Sequence, residues 1–222
     1  MKTMILAAGR GSRMGALTAS IPKPLLEVKG KSLIEWQIER VKNSTGITEF
    51  VINLAYLGQK IIDHLGDGSK LGVKIDYSLE QNGGLETAGG IIHALPLLGD
   101  EPFLVVNADI WLDFNYQNFL LNAQKAMEEK KLAYLLLTQT PEWKKQGDFG
   151  FSAENNLVKP SGDLTFCGVS LINPELFGSS YGFLPLAPFL RSAAVKNLVG
   201  GEIFNGDFQD VGTPERLNAL NQ

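Results

Sequence analysis

Thr3-Met4-Ile5-Leu6-Ala7-Ala8-Gly9-Arg10-Gly11-Ser12-Arg13-Met14 lies almost at the start of the chain. Thr3 to Ala8 is a short apolar run of strand character that stops at Gly9, and a loop punctuated by glycine and proline follows to Pro24. Small residues let backbone N–H groups approach a phosphate closely, and Arg13 adds a cationic fork. The glycines fall at Gly9, Gly11 and Gly15. That spacing is neither the dinucleotide fingerprint nor a Walker A loop. A dinucleotide site would also want an acid closing the second strand, and that strand ends near Asn53. Read alone, the run also suits an ordinary tight βα turn.

Outward from this loop, apolar runs alternate with amphipathic stretches. Strands are expected at Phe50–Leu54, Val73–Tyr77, Phe103–Asn107 and Leu132–Thr138. Helices are expected at Ser32–Asn43, Leu57–Leu65, Glu86–Leu95 and Phe119–Lys131. Ser32 with Glu35 three residues on is a capping-box pattern, and Gly46 suits the stop. Continuous apolar strands between helices predict an α/β fold, a mostly parallel sheet covered on both faces. Beyond Pro141 the pattern changes to short strand-prone pieces, Phe149–Ala153, Leu157–Lys159 and Leu164–Ile172, with turns at Asn155-Asn156 and Ser161-Gly162. These predict a mixed or antiparallel extension of the sheet, with closing helices at Leu186–Lys196 and Pro214–Leu220. With no repeat or linker, one domain over residues 1–222 is expected.

Composition narrows the function. The 222 residues are 44% hydrophobic and 20% charged, which suits an ordinary globular chain. A net charge of −4 argues against a nucleic-acid binder. No apolar run approaches the roughly 18 residues of a membrane span, and no leader pattern precedes the first strand, so a cytoplasmic protein is expected. One cysteine, Cys167, excludes an internal disulfide, and two histidines, His64 and His93, leave no zinc cluster. No Ser-His-Asp or Cys-His constellation is evident.

In an open parallel sheet, ligands bind beyond the carboxyl ends of the strands. Three more segments there carry charge. In Pro22-Lys23-Pro24, proline on both sides keeps the backbone extended and aims the lysine; beside the first loop, Arg13 and Lys23 could hold a polyphosphate from two sides. Asn107-Ala108-Asp109 ends a buried strand and projects an acid into the crevice. Asp210 stands just before Thr213-Pro214, a good N-cap followed by a good first helical residue. Two carboxylates from distant strand ends, Asp109 and Asp210, make a natural Mg²⁺ site when phosphate oxygens and water complete it.

Taken in order, these motifs resemble a known family. Leu6 to Met14 is followed by Pro22-Lys23-Pro24-Leu25 and Gly30-Lys31-Ser32-Leu33-Ile34-Glu35. Then come Leu85-Glu86-Thr87-Ala88-Gly89-Gly90, Asn107-Ala108-Asp109, Gly147-Asp148-Phe149, Phe166-Cys167-Gly168 and Asp210-Val211-Gly212-Thr213. The whole resembles the sugar-1-phosphate nucleotidyltransferases, over essentially the full chain. The chain departs from the family pattern at Gly15-Ala16, where Arg-Pro is frequent, at Ala88 and Ala108, where glycines are frequent, and at Val158-Lys159-Pro160, where many relatives carry Glu-Lys-Pro.

The resemblance implies a Rossmann-like, GT-A-like nucleotidyltransferase domain without the C-terminal left-handed β-helix of larger members. It implies UTP and a sugar 1-phosphate as substrates, with Mg²⁺ as cofactor, in a monomer or small homo-oligomer with no nucleic-acid or membrane partner. Guanylyl transfer to mannose 1-phosphate, and thymidylyl or uridylyl transfer to glucose 1-phosphate, stay open as alternatives. By the same resemblance Arg13, Lys23 and Asp109 are catalytic. The base lies over Leu6, Ala7 and Ala8, read by Glu80 and the Gly84-Leu85 turn, and Gly9, Gly11 and Ser12 with Arg13 and Lys23 face the phosphates. Asn107, Gly147, Asp148, Phe149, Lys159 and Thr165 are the acceptor-side candidates, and Asp109 and Asp210 the metal ligands. Trp111 and Trp143 could flank the sugar, and Arg191 is a candidate for meeting any further carboxylate on it.

Overall fold

A computed structural model describes residues 1–80 and 83–222. β1 (Thr3–Leu6) is the middle of the molecule because both of its faces are covered. Met4 points into one apolar cluster and Ile5 into another, which is why the strand reads as a continuous apolar run instead of an alternating one. It pairs in parallel with β4 (Glu49–Leu54) on one side and β6 (Phe103–Asn107) on the other, setting Ile5 level with Ile52 and Val106. β5 (Lys74–Leu79) extends the parallel part beside β4. Beyond β6 the sheet turns mixed. The long β10 (Leu157–Ile172) runs antiparallel to β6 and to β8 (Ala133–Gln139), and β11 (Val199–Ile203) lies parallel to β8. With β9 (Phe149–Ser152) paired to β10, the described residues form an eight-stranded sheet.

Helices α2 (Leu33–Thr45), α3 (Gly58–Leu65) and α5 (Tyr116–Glu128) cover one face. Helices α4 (Glu86–Leu98) and α6 (Leu186–Val195) cover the other. The capping box of α2 forms as expected, Ser32 and Glu35 each accepting the other's backbone N–H, and Gly46 closes the helix at φ 75°. α5 begins at Tyr116, three residues earlier than expected, because the Asn115 side chain accepts the Gln117 N–H and caps it there.

Five strands escaped the sequence reading: β11 and four short ones. β2 (Glu27–Val28) and β3 (Lys31–Ser32) form a hairpin whose two turn residues, Lys29 and Gly30, both have positive φ, the geometry that matches strand twist. β7 (Ile110–Leu112) pairs antiparallel with β12 (Phe208–Asp210). The expected break at Ser161-Gly162 is a correction: β10 runs on through it, with an irregular register between Lys159 and Leu164. Gly150 and Gly162 allow this, since a Cβ on Gly150 would lie 2.7 Å from the Ser161 carbonyl.

A third apolar cluster sits at one end of the sheet. Met14, Leu26, Val28, Leu33 and Val211 pack there with Leu217 and Leu220 of α7 (Pro214–Leu220). It fixes the neighbours of three charged residues, because Met14 follows Arg13, Val211 follows Asp210 and Leu26 closes the turn that begins at Lys23. Among the described residues, no helix is long and apolar enough to cross a membrane.

Candidate active site

The chain runs β1, β4, β5 in one direction and returns through α4 to β6 on the opposite side of β1. β1 is thus flanked by the reversal of strand order where ligand crevices form in open α/β sheets. A cleft of about 450 Å³ opens at its carboxyl end, within the usual range for small-molecule sites. All the residues expected on the nucleotide side, from Leu6 through Gly11 and Arg13 to Lys23, Glu80, Gly84 and Leu85, line it. Gly11 has φ 62°, and a Cβ there would come within 3.0 Å of the Lys23 Cβ. Glycine therefore brings the loop backbone against the lysine.

The wall of this cleft is a chain of hydrogen bonds. The Ala7 N–H donates to Oδ1 of Asn53 at 2.9 Å, and Nδ2 of Asn53 donates to Glu80 Oε1 at 2.6 Å. Oε2 of Glu80 accepts the Leu85 N–H at 2.7 Å. Asn53 and Glu80 are both buried, at 3% and 7% exposure, so these bonds replace the water both groups have lost. Gly90 of α4 leaves them room, since a Cβ there would lie 2.4 Å from Glu80 Oε1. Both oxygens of Glu80 thus serve protein donors that join the ends of β1, β4 and α4.

Asp109 and Asp210 meet because of the β7–β12 ribbon. Asp210 pairs with Ile110, the residue after Asp109, and the Val211 N–H donates to the Asp109 carbonyl at 2.9 Å. Lys23 lies between the carboxylates: its ammonium hydrogen-bonds Asp109 and stands 3.8 Å from Asp210 Oδ1. Arg13 and Arg216 each approach Asp210 Oδ2 at 3.6 Å, and Arg216 also donates to the Asp210 carbonyl at 2.9 Å. Thr213 caps α7 as expected and Pro214 takes its first position, which sets Arg216 beside Asp210. Oδ1 of Asp210 is buried and accepts no hydrogen bond among the described residues. An anionic oxygen left in that state, with a second carboxylate close by, fits a divalent cation that takes its remaining ligands from phosphate and water.

A second cavity, of about 530 Å³, shares Arg13, Asn107 and Asp109 with the first. Of the acceptor-side candidates, Asn107 and Thr165 line it. Gly168, at φ 77°, admits Asn107, whose Nδ2 would lie 2.7 Å from a Cβ there. Asp148 acts one step back: its Oδ2 accepts the Phe166 N–H at 3.0 Å and the Lys144 ammonium. Phe149 is buried in the core, Gly147 lies against the Gly162 carbonyl, and Lys159 is exposed; none of the three lines either cavity. Trp143 lines the second cavity with the Arg216 guanidinium 4.0 Å from its ring centre. Trp111 lines neither cavity; it packs edge-on against Trp36 and carries Arg40 on its face. Arg191 also lies outside both, 5.7 Å from the Phe149 ring. Cys167 is fully buried, and burial pushes its thiol well up from its ordinary range, so it offers no nucleophile.

Sequence reasoning missed Asn53, Arg216, Lys144 and Lys145. Asn53 stands at a strand end where a dinucleotide site would carry an acid, and an amide there gives no signal of its own. Arg216, three residues after a recognisable N-cap, had a usable signal. The lysines stand in a loop with no periodic pattern.

Known proteins resemble this chain in sequence and in fold. Residues 2–156 match the family model for nucleotidyl transferase. The N-acetylmuramate alpha-1-phosphate uridylyltransferase of Neisseria meningitidis serogroup B is 48% identical over 222 residues, covering 98% of this chain and 95% of the relative. The protein of the same name from Caulobacter vibrioides is 33% identical over 225 residues, covering 96% and 92%. The crystal structure of HddC from Yersinia pseudotuberculosis, complexed with GMP-PN, superposes with a TM-score of 0.77 at 18% identity, covering 99% of this chain and 97% of that one; that likeness bears on the fold. With the motifs in order, the cleft at the strand reversal and relatives matching from end to end, the chain belongs to the nucleotidyl transferase family, among the sugar-1-phosphate nucleotidyltransferases.

Proposed function

We propose that this protein transfers a uridylyl group from UTP to N-acetylmuramate 1-phosphate, giving UDP-N-acetylmuramate and pyrophosphate. The observation that carries the reading is the junction of the two cavities over Arg13, Asn107 and Asp109. One cavity suits a nucleotide, the other a phosphorylated acceptor, and the charged groups lie where two polyanions would meet. The choice of substrates follows the two relatives that match this chain over nearly its whole length. We place the reaction in the cytoplasm, as a step of peptidoglycan recycling.

The acceptor phosphate oxygen attacks the α-phosphorus in line; the new P–O bond forms as the α–β bridge breaks and pyrophosphate leaves. A phosphate monoester has a second pKa of about 6, so the nucleophile is already charged and no general base is required. The protein supplies positioning and charge neutralisation. The Gly11 backbone and Arg13 hold the β- and γ-phosphates, and Lys23 faces the α-phosphate. The Ala7–Asn53–Glu80–Leu85 network keeps the base side of the cleft in shape, while Asn107 and Thr165 orient the acceptor. Asp109 and Asp210 would hold Mg²⁺, which would supply further charge neutralisation to the triphosphate.

Thermal shift and pyrophosphate release together test this. UTP should raise the melting temperature more than ATP, GTP, CTP or dTTP at equal concentration, because a ligand that binds only the native state stabilises it. Mg²⁺-dependent release should be fastest for UTP with N-acetylmuramate 1-phosphate. Preference for GTP with mannose 1-phosphate, or for glucose 1-phosphate, would overturn the substrates while leaving the chemistry.

A further inference from the structure

N-acetylmuramate differs from N-acetylglucosamine by a lactyl ether, which puts a carboxylate where the plain sugar has a neutral hydroxyl. An enzyme that prefers the former needs a cation for that carboxylate, besides those that meet the phosphates. Four basic side chains line the acceptor cavity: Arg13, Lys144, Lys145 and Arg216. Three are already engaged. Arg13 faces Asp210 at 3.6 Å on the phosphate side. Arg216 pairs with the same carboxylate and lies over the Trp143 ring. Lys144 is bound by Asp148. Lys145 has no ion-pair or hydrogen-bond partner for its ammonium among the described residues.

The loop that carries Lys145 is pinned on both sides of it. The Lys144 N–H closes a turn onto the Pro141 carbonyl at 2.9 Å, and the Asp148 N–H donates to the Leu164 carbonyl at 2.7 Å. The Trp143 ring lies against Arg216, and the Lys144 side chain is tied to Asp148. Lys145 is exposed, and its backbone leaves this clamped segment at the wall of the acceptor cavity.

We propose that Lys145 is the specificity-determining residue that receives the acceptor's lactyl carboxylate, an assignment that rests on the acceptor named above. Carboxylate and ammonium at that wall form a charge-assisted contact that a neutral sugar cannot make.

The test compares wild type, Lys145→Ala and Lys145→Arg with UTP and two acceptors, N-acetylmuramate 1-phosphate and N-acetylglucosamine 1-phosphate. Binding of UDP-N-acetylmuramate and UDP-N-acetylglucosamine is measured in parallel by calorimetry, which needs no turnover. Lys145→Ala should lower kcat/KM for the muramate acceptor about 10- to 100-fold more than for the glucosamine acceptor, mostly through KM, the loss set by a hydrogen bond to a charged group. It should weaken UDP-N-acetylmuramate by a similar factor relative to UDP-N-acetylglucosamine, and Lys145→Arg should restore most of both differences. Equal losses on the two sugars, or none, overturn the assignment of Lys145 while wild-type preference for the muramate acceptor leaves the proposed function standing. Wild-type enzyme that prefers a neutral acceptor overturns the proposed function, and this assignment with it.

Discussion

The ammonium of Lys23 hydrogen-bonds the carboxylate of Asp109, joining two segments 86 residues apart in the chain. The lysine side chain is 8% exposed and that of Asp109 is 35% exposed. Lys23→Met removes the cation and leaves Asp109 beside Asp210 without it. Turnover should fall by about 10²- to 10³-fold, the usual effect of removing one charge-stabilising group. Stability should fall by ~1–2 kcal/mol, less than for a fully buried pair, because Asp109 keeps part of its hydration. Steady-state pyrophosphate release and a urea melt measure both; wild-type turnover would remove Lys23 from the chemistry.

Gly11 and Gly15 separate backbone strain from contact. Both have φ near +60°, at 62° and 58°. A Cβ on Gly11 would meet Lys23 and Thr18 at 3.0 and 3.2 Å, whereas a Cβ on Gly15 meets nothing within 4 Å. Gly11 is in the left-handed region with ψ 34°, where alanine costs ~1–2 kcal/mol, and Gly15, with ψ −127°, lies where alanine is strained by about 1–3 kcal/mol. Only Gly11→Ala should also displace Lys23, raising the KM for UTP by roughly an order of magnitude. Equal nucleotide KM values in the two variants would show that the contact with Lys23 is immaterial.

Glu80 has two donors facing it, Asn53 Nδ2 and the Leu85 N–H. Glu80→Gln keeps one acceptor oxygen and adds an NH₂ group, so one donor loses its partner. If the Asn53 amide turns to compensate, the Ala7 N–H loses Oδ1 instead. Either outcome leaves a buried group unpaired and should reduce stability by ~1–3 kcal/mol. Because the damage is to the shape of the base side, KM for the nucleotide should rise more than kcat falls. Unchanged melting and unchanged KM would mean the network does not hold the cleft.

The start of α2 should be sensitive to acid. Burial works against the Glu35 carboxylate, and the Ser32 hydroxyl, His64 and the Ser32 N–H outweigh it, so its pKa lies below the ordinary 4.5. Between the folded and unfolded values the unfolded chain binds the extra proton, and stability rises with pH. The contribution is therefore whole above about pH 4.5 and is lost as pH falls through the folded value. Wild type should exceed Glu35→Ala by ~1 kcal/mol at neutral pH, and the gap should close on acidification. A gap that stayed constant down to pH 3 would contradict the carboxylate's role.

Much of the fold was legible because β1, β4 and β6 are buried on both faces and read as unbroken apolar runs. On the nucleotide side, the glycine loop and Arg13 were legible because they follow the end of β1 and Lys23 because proline stands on both sides of it, whereas Glu80, Gly84 and Leu85 came only with the family resemblance. The meeting of Asp109 with Asp210 was not visible in the same way. It depends on β7 and β12, strands of three residues each, too short for a period-2 pattern to register. Trp111 sits on β7 and was expected at the sugar; the strand instead turns it toward Trp36 and Arg40. Lys159 was likewise expected at the acceptor, but it lies at the irregularity in β10 where the register to β9 shifts. The acceptor wall around Lys144 and Lys145 comes from a loop held by Asp148 and Arg216, contacts that only the folded chain brings together.

A competition for product tests the central claim most directly. UTP, GTP, ATP, CTP and dTTP are mixed at equal concentration with the 1-phosphates of N-acetylmuramate, N-acetylglucosamine, glucose and mannose, Mg²⁺ and the enzyme, and the nucleotide sugars are resolved by mass spectrometry. UDP-N-acetylmuramate should dominate from the first time points, with an equal amount of pyrophosphate. A different dominant nucleotide sugar, or none at all, would contradict it.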